Sequence, residues 1–209
     1  MDKGLLIVIS GPSGAGKGTI YNSILERMPS IHTSVSVTTR QPRKKEREGV
    51  EYYFRTIEQY EQMLKNDELL ETAEVFGNFY GTPKKHVMDV VDKGEDIMLE
   101  IDVCGARQIK DKFPECVTIF IMPPSFELLE SRLRGRASDS EESIVRRLFE
   151  ARRELAECEN FDYIIFNGVL DESIQKAVGI ILSERSKVFR NKQKLNKLLF
   201  GSCKEEYLC

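Results

Sequence analysis

Short apolar runs alternate with helical periodicities along most of the chain. Runs of β type stand at Leu5–Ser10, Ile97–Asp102, Val117–Met122 and Tyr163–Phe166, and Thr33–Val37 is a weaker alternating one. Between them, apolar residues recur at helical spacing: Ile20, Ile24, Leu25 and Met28; Ala106, Ile109 and Phe113; Ile144, Leu148, Ala151 and Leu155; Ile174, Val178 and Ile181. Amphipathic helices between short apolar strands predict a three-layer α/β fold, a parallel sheet covered on both faces. In such sheets ligands sit beyond the carboxyl ends of the strands. Two stretches break the alternation. Residues 38–82 are polar, with a short helix around Thr56–Leu64 opened by a capping box of Thr56 and Gln59. Residues 125–158 read as two helices around the arginine-rich turn Arg132–Ser140, and Ser138 with Glu141 fits a second box. The expected organisation is therefore one domain: a core of residues 4–37, 83–124 and 159–200, an acceptor-binding insertion at 38–82 and a lid at 125–158. The tail from Gly201 is read as frayed.

The first strand and the first helix flank Gly11, Pro12, Ser13, Gly14, Ala15, Gly16 and Lys17. Glycines let consecutive backbone N–H groups turn inward as an anion-binding nest. The following helix adds its positive end, and Lys17 carries a mobile cation to the outer phosphates. Strand, loop and helix in this order predict a user of nucleoside triphosphates. Loops of this type carry Ser or Thr directly after the lysine. Here Gly18 stands there and Thr19 follows, so the hydroxyl is displaced by one residue.

Charge narrows the partners. The chain of 209 residues has a formal net charge of −3, which gives no reason to expect nucleic-acid binding. Five cysteines are scattered without metal spacing and read as free thiols in a reducing compartment. No apolar run approaches the ~20 residues of a membrane span. The start, Met1-Asp2-Lys3-Gly4, leads straight into a strand and carries no signal-peptide pattern. The cytoplasm is the expected location. The basic stretch Lys187–Phe200, with apolar residues interleaved, reads as a helix packing on the core or on a second subunit, which leaves room for a homodimer.

Phosphoryl transfer between two nucleotides brings two polyanions together, so positive groups must come from both sides. Arg40 and Arg43 flank Pro42 and can converge on one phosphate, a task that suits arginine's planar fork. These residues also carry a resemblance. The segments Gly11–Thr19, Ser34–Arg43, Gly49–Phe54, Glu71 before Gly77–Thr82, Leu99–Gly105, and Arg132 through Arg147 resemble guanylate kinases. The resemblance spans residues 4–185.

It implies a three-layer P-loop kinase with a small α+β GMP-binding insertion and a helical lid. The implied reaction is ATP + GMP to ADP + GDP, with dGMP also accepted and Mg2+ carried with ATP, without a protein metal site. By resemblance, ATP lies on Gly11, Pro12, Ser13, Gly14, Ala15, Gly16, Lys17, Gly18 and Thr19, with Asn167 on the adenine side. Arg40 and Arg43 hold the GMP phosphate, Tyr52 and Tyr80 donate hydroxyls to it, and Ser36 is nearby. Glu71 resembles the carboxylate that accepts from guanine N1–H and N2–H2, and Thr82 serves O6. Glu100 and Asp102 match an acidic strand end that holds the base or water around magnesium. Lys17, Arg132, Arg136 and Arg147 stabilise charge on the transferring group. The chain departs from the family pattern at Gly18, Cys104, Ala137 and Gly168, none of which removes a required charge. Two other readings are a scaffold that binds phosphorylated peptides through the same arginines, and a kinase with another acceptor such as a ribose bisphosphate.

Overall fold

The computed structural model describes residues 2–75, 77–135 and 141–201. Its main sheet consists of β1 (Leu6–Ser10), β2 (His32–Thr33), β7 (Ile97–Glu100), β8 (Val117–Met122) and β9 (Tyr163–Phe166), in the order β2-β7-β1-β8-β9. All its pairings are parallel; Leu6 lies opposite Ile97 and Ile7 opposite Val117. Successive side chains of a strand face opposite ways, and β1 shows the consequence. Ile7 and Ile9 join a core with Ile20 and Ile24 of α1 (Lys17–Arg27) and Ile174 and Ile181 of α7 (Leu170–Arg185). Leu6 and Val8 join a second core with Val87 and Val90 of α3 (Lys84–Asp92) and Ala106 and Ile109 of α4 (Val103–Lys112). Both faces of the strand are covered, which is why β1 reads as a continuous apolar run.

The weak run at Thr33–Val37 divides between two sheets. His32–Thr33 forms the edge of the main sheet, while Val37–Thr38 becomes β3 of a smaller mixed one. That sheet has the order β4-β3-β6-β5, with β4 at Tyr53–Phe54, β5 at Leu69–Val75 and β6 at Asn78–Pro83. Helix α2 (Ile57–Lys65) starts with the expected capping box: Gln59 N donates to Thr56 Oγ1, and Thr56 N donates to Gln59 Oε1. Its Tyr60 is buried against Val37 and Leu69, stacks on Phe79 at 5.4 Å and donates its hydroxyl to the Tyr80 carbonyl at 2.8 Å. Removing that hydroxyl would cost about 1 kcal/mol.

The small sheet is bolted to the core through one strand. Thr72 N donates to Gln108 Oε1 at 3.1 Å, Gln108 Nε2 donates to Thr72 O at 2.6 Å, and Lys112 Nζ donates to Leu70 O at 2.7 Å. Leu70 itself belongs to the second core.

Helices α5 (Phe126–Arg134) and α6 (Glu141–Ala156) pack through Leu129, Leu133 and Ala151, with the Arg152 guanidinium 4.5 Å from the Phe126 ring centre. Arg136, Ala137 and Ser138, and the tail after Gly201, lie outside the described residues. After α7 the chain makes a 3-10 turn at Val188–Asn191 and ends in α8 (Lys192–Phe200). Among the described residues, no helix is long and apolar enough to cross a membrane. Cys104, Cys116 and Cys158 are free thiols.

Candidate active site

The glycine-rich loop joins β1 to α1 beyond the carboxyl ends of the sheet. Its turns need glycine at Gly14 (φ 88°) and Gly16 (φ 93°), the left-handed region that other residues avoid. A side chain on Gly16 would also place its Cβ 2.4 Å from Asn167 Nδ2. Asn167 follows β9 and is 5% exposed. Its amide donates to the Ala15 carbonyl at 2.8 Å, and its backbone N donates to Met122 O at 2.8 Å. The residue expected on the adenine side is therefore committed to the loop backbone. Arg132 Nη1 lies 3.5 Å from both the Gly14 and Ala15 carbonyls, so α5 ties the same loop from another side. Lys17 Nζ donates to Gly11 O at 2.6 Å and Pro12 O at 3.1 Å, which pins the ammonium against the loop.

A cleft of about 320 Å³ opens between this loop and the small sheet. Lys17, Ser36, Tyr52, Glu71, Tyr80, Glu100 and Asp102 line it, with Val75 and Ile101. These polar residues come from six separate segments, and the fold brings them to one place. Arg40 stands beside it, against Tyr52. Its guanidinium lies 5.4 Å from the Tyr52 ring centre, and Tyr52 meets Tyr80 edge-on at 5.9 Å. Arg40 Nη2 also donates to both oxygens of Glu46, at 2.9 and 3.0 Å. Arg43 does not join Arg40 here. It is exposed, and its backbone N donates to Glu46 Oε2 at 2.8 Å. Glu46 escaped the sequence reading because it sits inside a run of basic residues. An acid at that spacing after an arginine is the signal that marks it.

Glu71 lies at the inner end of the cleft and is only 2% exposed. Thr82 Oγ1 donates to its Oε1 at 2.7 Å. A Cβ on Gly105 would stand 2.5 Å from Oε2, so this position in α4 must lack a side chain for the carboxylate to fit. Burial pushes the Glu71 carboxyl up to about 7; the charge of Asp102 adds to the rise, and the Thr82 hydroxyl opposes it. Thr82 is fully buried and its single proton goes to Glu71. In this arrangement it orients the carboxylate. Asp102 lines the cleft and also caps α4, accepting from Gly105 N at 2.9 Å. The capping role and the site role coexist in one side chain.

Glu100, at the end of β7, is pushed up by burial against the opposing pull of Lys17. A Cβ on Gly18 would lie 3.5 Å from its Oε2, so a residue there would reach this carboxylate. Thr19 is exposed one residue further on. Tyr21 donates its hydroxyl to Met98 O at 3.1 Å, and burial, then Glu100, push that hydroxyl's pKa up.

Helices α5 and α6 contribute Arg132 and Arg147, both half-buried. Helix α6 also contributes Glu154, which the sequence reading missed. Burial pushes this carboxyl up to about 7, the Lys17 charge pulls it down, and it accepts from the Ser13 backbone N–H. It stands seven residues after Arg147, two turns along the same face of α6. That spacing was its one sequence signal.

Comparison with known proteins agrees with this geometry. The sequence model of the guanylate kinase family matches residues 3–184. The chain is 49% identical to a guanylate kinase of Carboxydothermus hydrogenoformans over 187 residues, 90% of this chain and 92% of that protein. It is 44% identical to one of Clostridium acetobutylicum over 205 residues, 98% of each. Among solved structures, guanylate kinase from Anaplasma phagocytophilum is similar with a TM-score of 0.78 and 39% identity. That match covers 96% of this chain and 97% of the other.

Proposed function

The chain belongs to the guanylate kinase family and catalyses ATP-dependent phosphorylation of GMP; from that premise we propose how its own residues divide the work. The observation that carries the proposal is the placement of Lys17 and Glu71 in one cleft, a phosphate-loop cation opposite a buried carboxylate. The loop Gly11–Lys17 takes the ATP phosphates on its inward N–H groups. Asn167 and Arg132 hold the loop in shape before any nucleotide arrives, so binding spends little on ordering it.

GMP enters with guanine toward Glu71 and phosphate toward Arg40, Tyr52 and Tyr80. Arg43 is close enough in sequence to swing in, and Glu46 holds Arg40 until phosphate replaces it. Adenine presents an acceptor where guanine presents N1–H, and would leave the buried Glu71 oxygens unpaired. A site of that kind rejects the mismatched base by roughly 10⁴. The 2′ position takes no part in these contacts, so dGMP is used as well.

A GMP phosphate oxygen attacks the γ-phosphorus of ATP, and the bond from that phosphorus to the ADP oxygen breaks. No side chain is needed as a nucleophile. Lys17, Arg147 and Arg132 hold the charge that spreads over the transferring group, and Arg136 completes the lid set. Mg2+ arrives with ATP. The nearby donors, Glu100 and Asp102, are hard oxygen ligands that suit this ion through one or two carboxylates or their waters. In this reading residues 38–82 form the acceptor-binding unit and 125–158 the lid.

A coupled ADP-release assay with GMP, dGMP, AMP, UMP and a pentose bisphosphate tests it. Turnover with GMP and dGMP and near silence with the others is expected. Turnover with AMP within tenfold of GMP, about 1.4 kcal/mol, would remove Glu71 from base reading.

A further inference from the structure

A second cavity among the described residues is larger than the catalytic cleft. It measures about 880 Å³ and lies at the opposite, amino-terminal end of the sheet strands, beside Leu5 and Asp96. Its volume falls in the ~300–1,000 Å³ range of small-molecule sites. Two parts of the chain build it. One wall is the family core: Lys3 and the turn Lys93–Asp96 after α3, with Arg185, the last residue of α7, at the junction just past the match. The other is the segment beyond the family match, which ends at residue 184. That segment supplies Arg190, Lys194 and Lys197.

The added segment is held in place. Asp2 Oδ1 accepts from Gln193 N at 3.1 Å, and Asn191 Nδ2 donates to the Arg185 and Lys187 carbonyls at 2.8 and 3.0 Å. Arg190 Nη2 donates to Glu115 O at 2.6 Å. The Arg190 side chain is only 10% exposed, with Glu184 3.7 Å away.

Charge in the cavity is unbalanced. Asp96 is occupied by Arg185 and by the Leu5 N–H; Asp2 and Glu95 are the other two carboxylates of the lining, against six basic side chains, Lys3, Lys93, Arg185, Arg190, Lys194 and Lys197. Lys3 pairs with Asp92 at 3.5 Å. Lys93, Lys194 and Lys197 line the cavity with no ion-pair partner among the described residues, although Lys194 reaches Asn191 Oδ1 at 3.4 Å. Lys93 belongs to the core wall and Lys194 and Lys197 to the added one, so a ligand with more than one phosphate can meet ammonium groups from both. Each wall can hold a different phosphate of the same ligand.

We propose that this cavity is a second anion site, remote from catalysis, for a ligand bearing two or more linked phosphates. A nucleoside diphosphate and inorganic pyrophosphate share that chemistry. The reaction's own product, ADP, is one such molecule.

The test is a titration of the full-length chain followed by backbone amide resonances. Gly94 and Gln193 report on the cavity, and Gly14 and Gly16 on the catalytic loop. Pyrophosphate, ADP and orthophosphate are the probes. Saturable shifts at Gly94 and Gln193 are expected with pyrophosphate or ADP, weaker with orthophosphate. A response to ADP alone identifies the nucleotide as the source, and a response to both shows that linked phosphates suffice. In the double variant Lys194→Glu/Lys197→Glu, the cavity affinity should fall about tenfold or more, the worth of one lost charge-assisted hydrogen bond. The loop resonances and kcat should stay unchanged, which also reports that the variant folds. No shift at Gly94 or Gln193 with any probe overturns the proposal. So does equal affinity for orthophosphate and pyrophosphate, or an unchanged affinity in the double variant.

Discussion

GMP recognition should be tied to pH through Glu71. The carboxyl sits at about 7 because it is buried, and its ordinary value is 4.5. That difference corresponds to about 3 kcal/mol held against the charged form. Guanine needs the charged form, since both of its edge groups are donors. GMP binding must therefore draw from the ionised fraction, and the apparent dissociation constant rises as that fraction falls. With a value near 7, roughly nine-tenths of the sites are ready at pH 8 and roughly one-tenth at pH 6. KM for GMP should rise about eight- to tenfold between those limits. GMP's own phosphate titrates in the same window, so Glu71→Gln supplies the reference. The variant should bind GMP poorly, and it should lack the part of the pH response that belongs to Glu71.

The same charge makes a stability statement with a defined sign. A carboxyl whose folded value is raised favours the folded state when protonated. That contribution is fully present below about 4.5 and is lost as pH rises through about 7. Glu71→Gln should therefore melt progressively higher than the wild type as pH goes from 5 to 8. The gap should widen by on the order of 5–10 °C if the whole ~3 kcal/mol is released. The assays are KM for GMP by coupled ADP release and thermal melting of the ligand-free chain, both at pH 5 to 8. Parallel pH profiles for the wild type and Glu71→Gln in both measurements would refute the reasoning.

Other expectations are more local. Lys17→Ala should lower turnover by on the order of 10²–10³ with the melting temperature little changed; turnover within a few-fold of wild type would detach this loop from ATP. Arg147→Ala should lower kcat far more than it raises KM for GMP, because a lid charge acts on the transferring group. A pure KM effect would move Arg147 to the acceptor side. Gly105→Ala should raise KM for GMP about tenfold, since its Cβ would stand 2.5 Å from Glu71 Oε2 and displace the carboxylate; GMP titration by calorimetry reads this directly. IMP, which lacks the 2-amino group, should be a poor substrate of the wild type. The GMP-to-IMP ratio of kcat/KM should shrink in Glu71→Gln, and an unchanged ratio would show that Glu71 does not read the base.

The core strands were legible in the sequence because burial on both faces removes polar interruptions. The hairpin of β5 and β6 was not, and the reason is functional. Leu69–Val75 carries Glu71, Thr72 and Glu74, so its apolar pattern is broken where the strand serves the site and the clamp to α4. Helix α3 was hidden beside it for want of a long periodic stretch. Motif residues were legible by type but not by present occupation. Asn167 and Thr82 carry the right groups, yet their hydrogen bonds go to Ala15 and Glu71. Only three-dimensional neighbours decide where a single amide or hydroxyl proton is spent. Glu154 shows the complementary case, a lone acid among helix-face charges whose meaning depends on a loop over a hundred residues away in sequence.

The clamp between β5 and α4 has an evolutionary consequence. The strand that carries Glu71 is fastened to the hydrophobic core, whereas Arg40, Glu46 and the β3–β4 connection are joined to it through the small sheet. If Glu71 reads the base as proposed, base choice is written into the interior, where one altered residue forces others to move. How the phosphate end is gripped is written on the rim, where substitutions are cheap. Drift and laboratory selection should both find new acceptor phosphates or leashes on this scaffold readily, and new bases rarely.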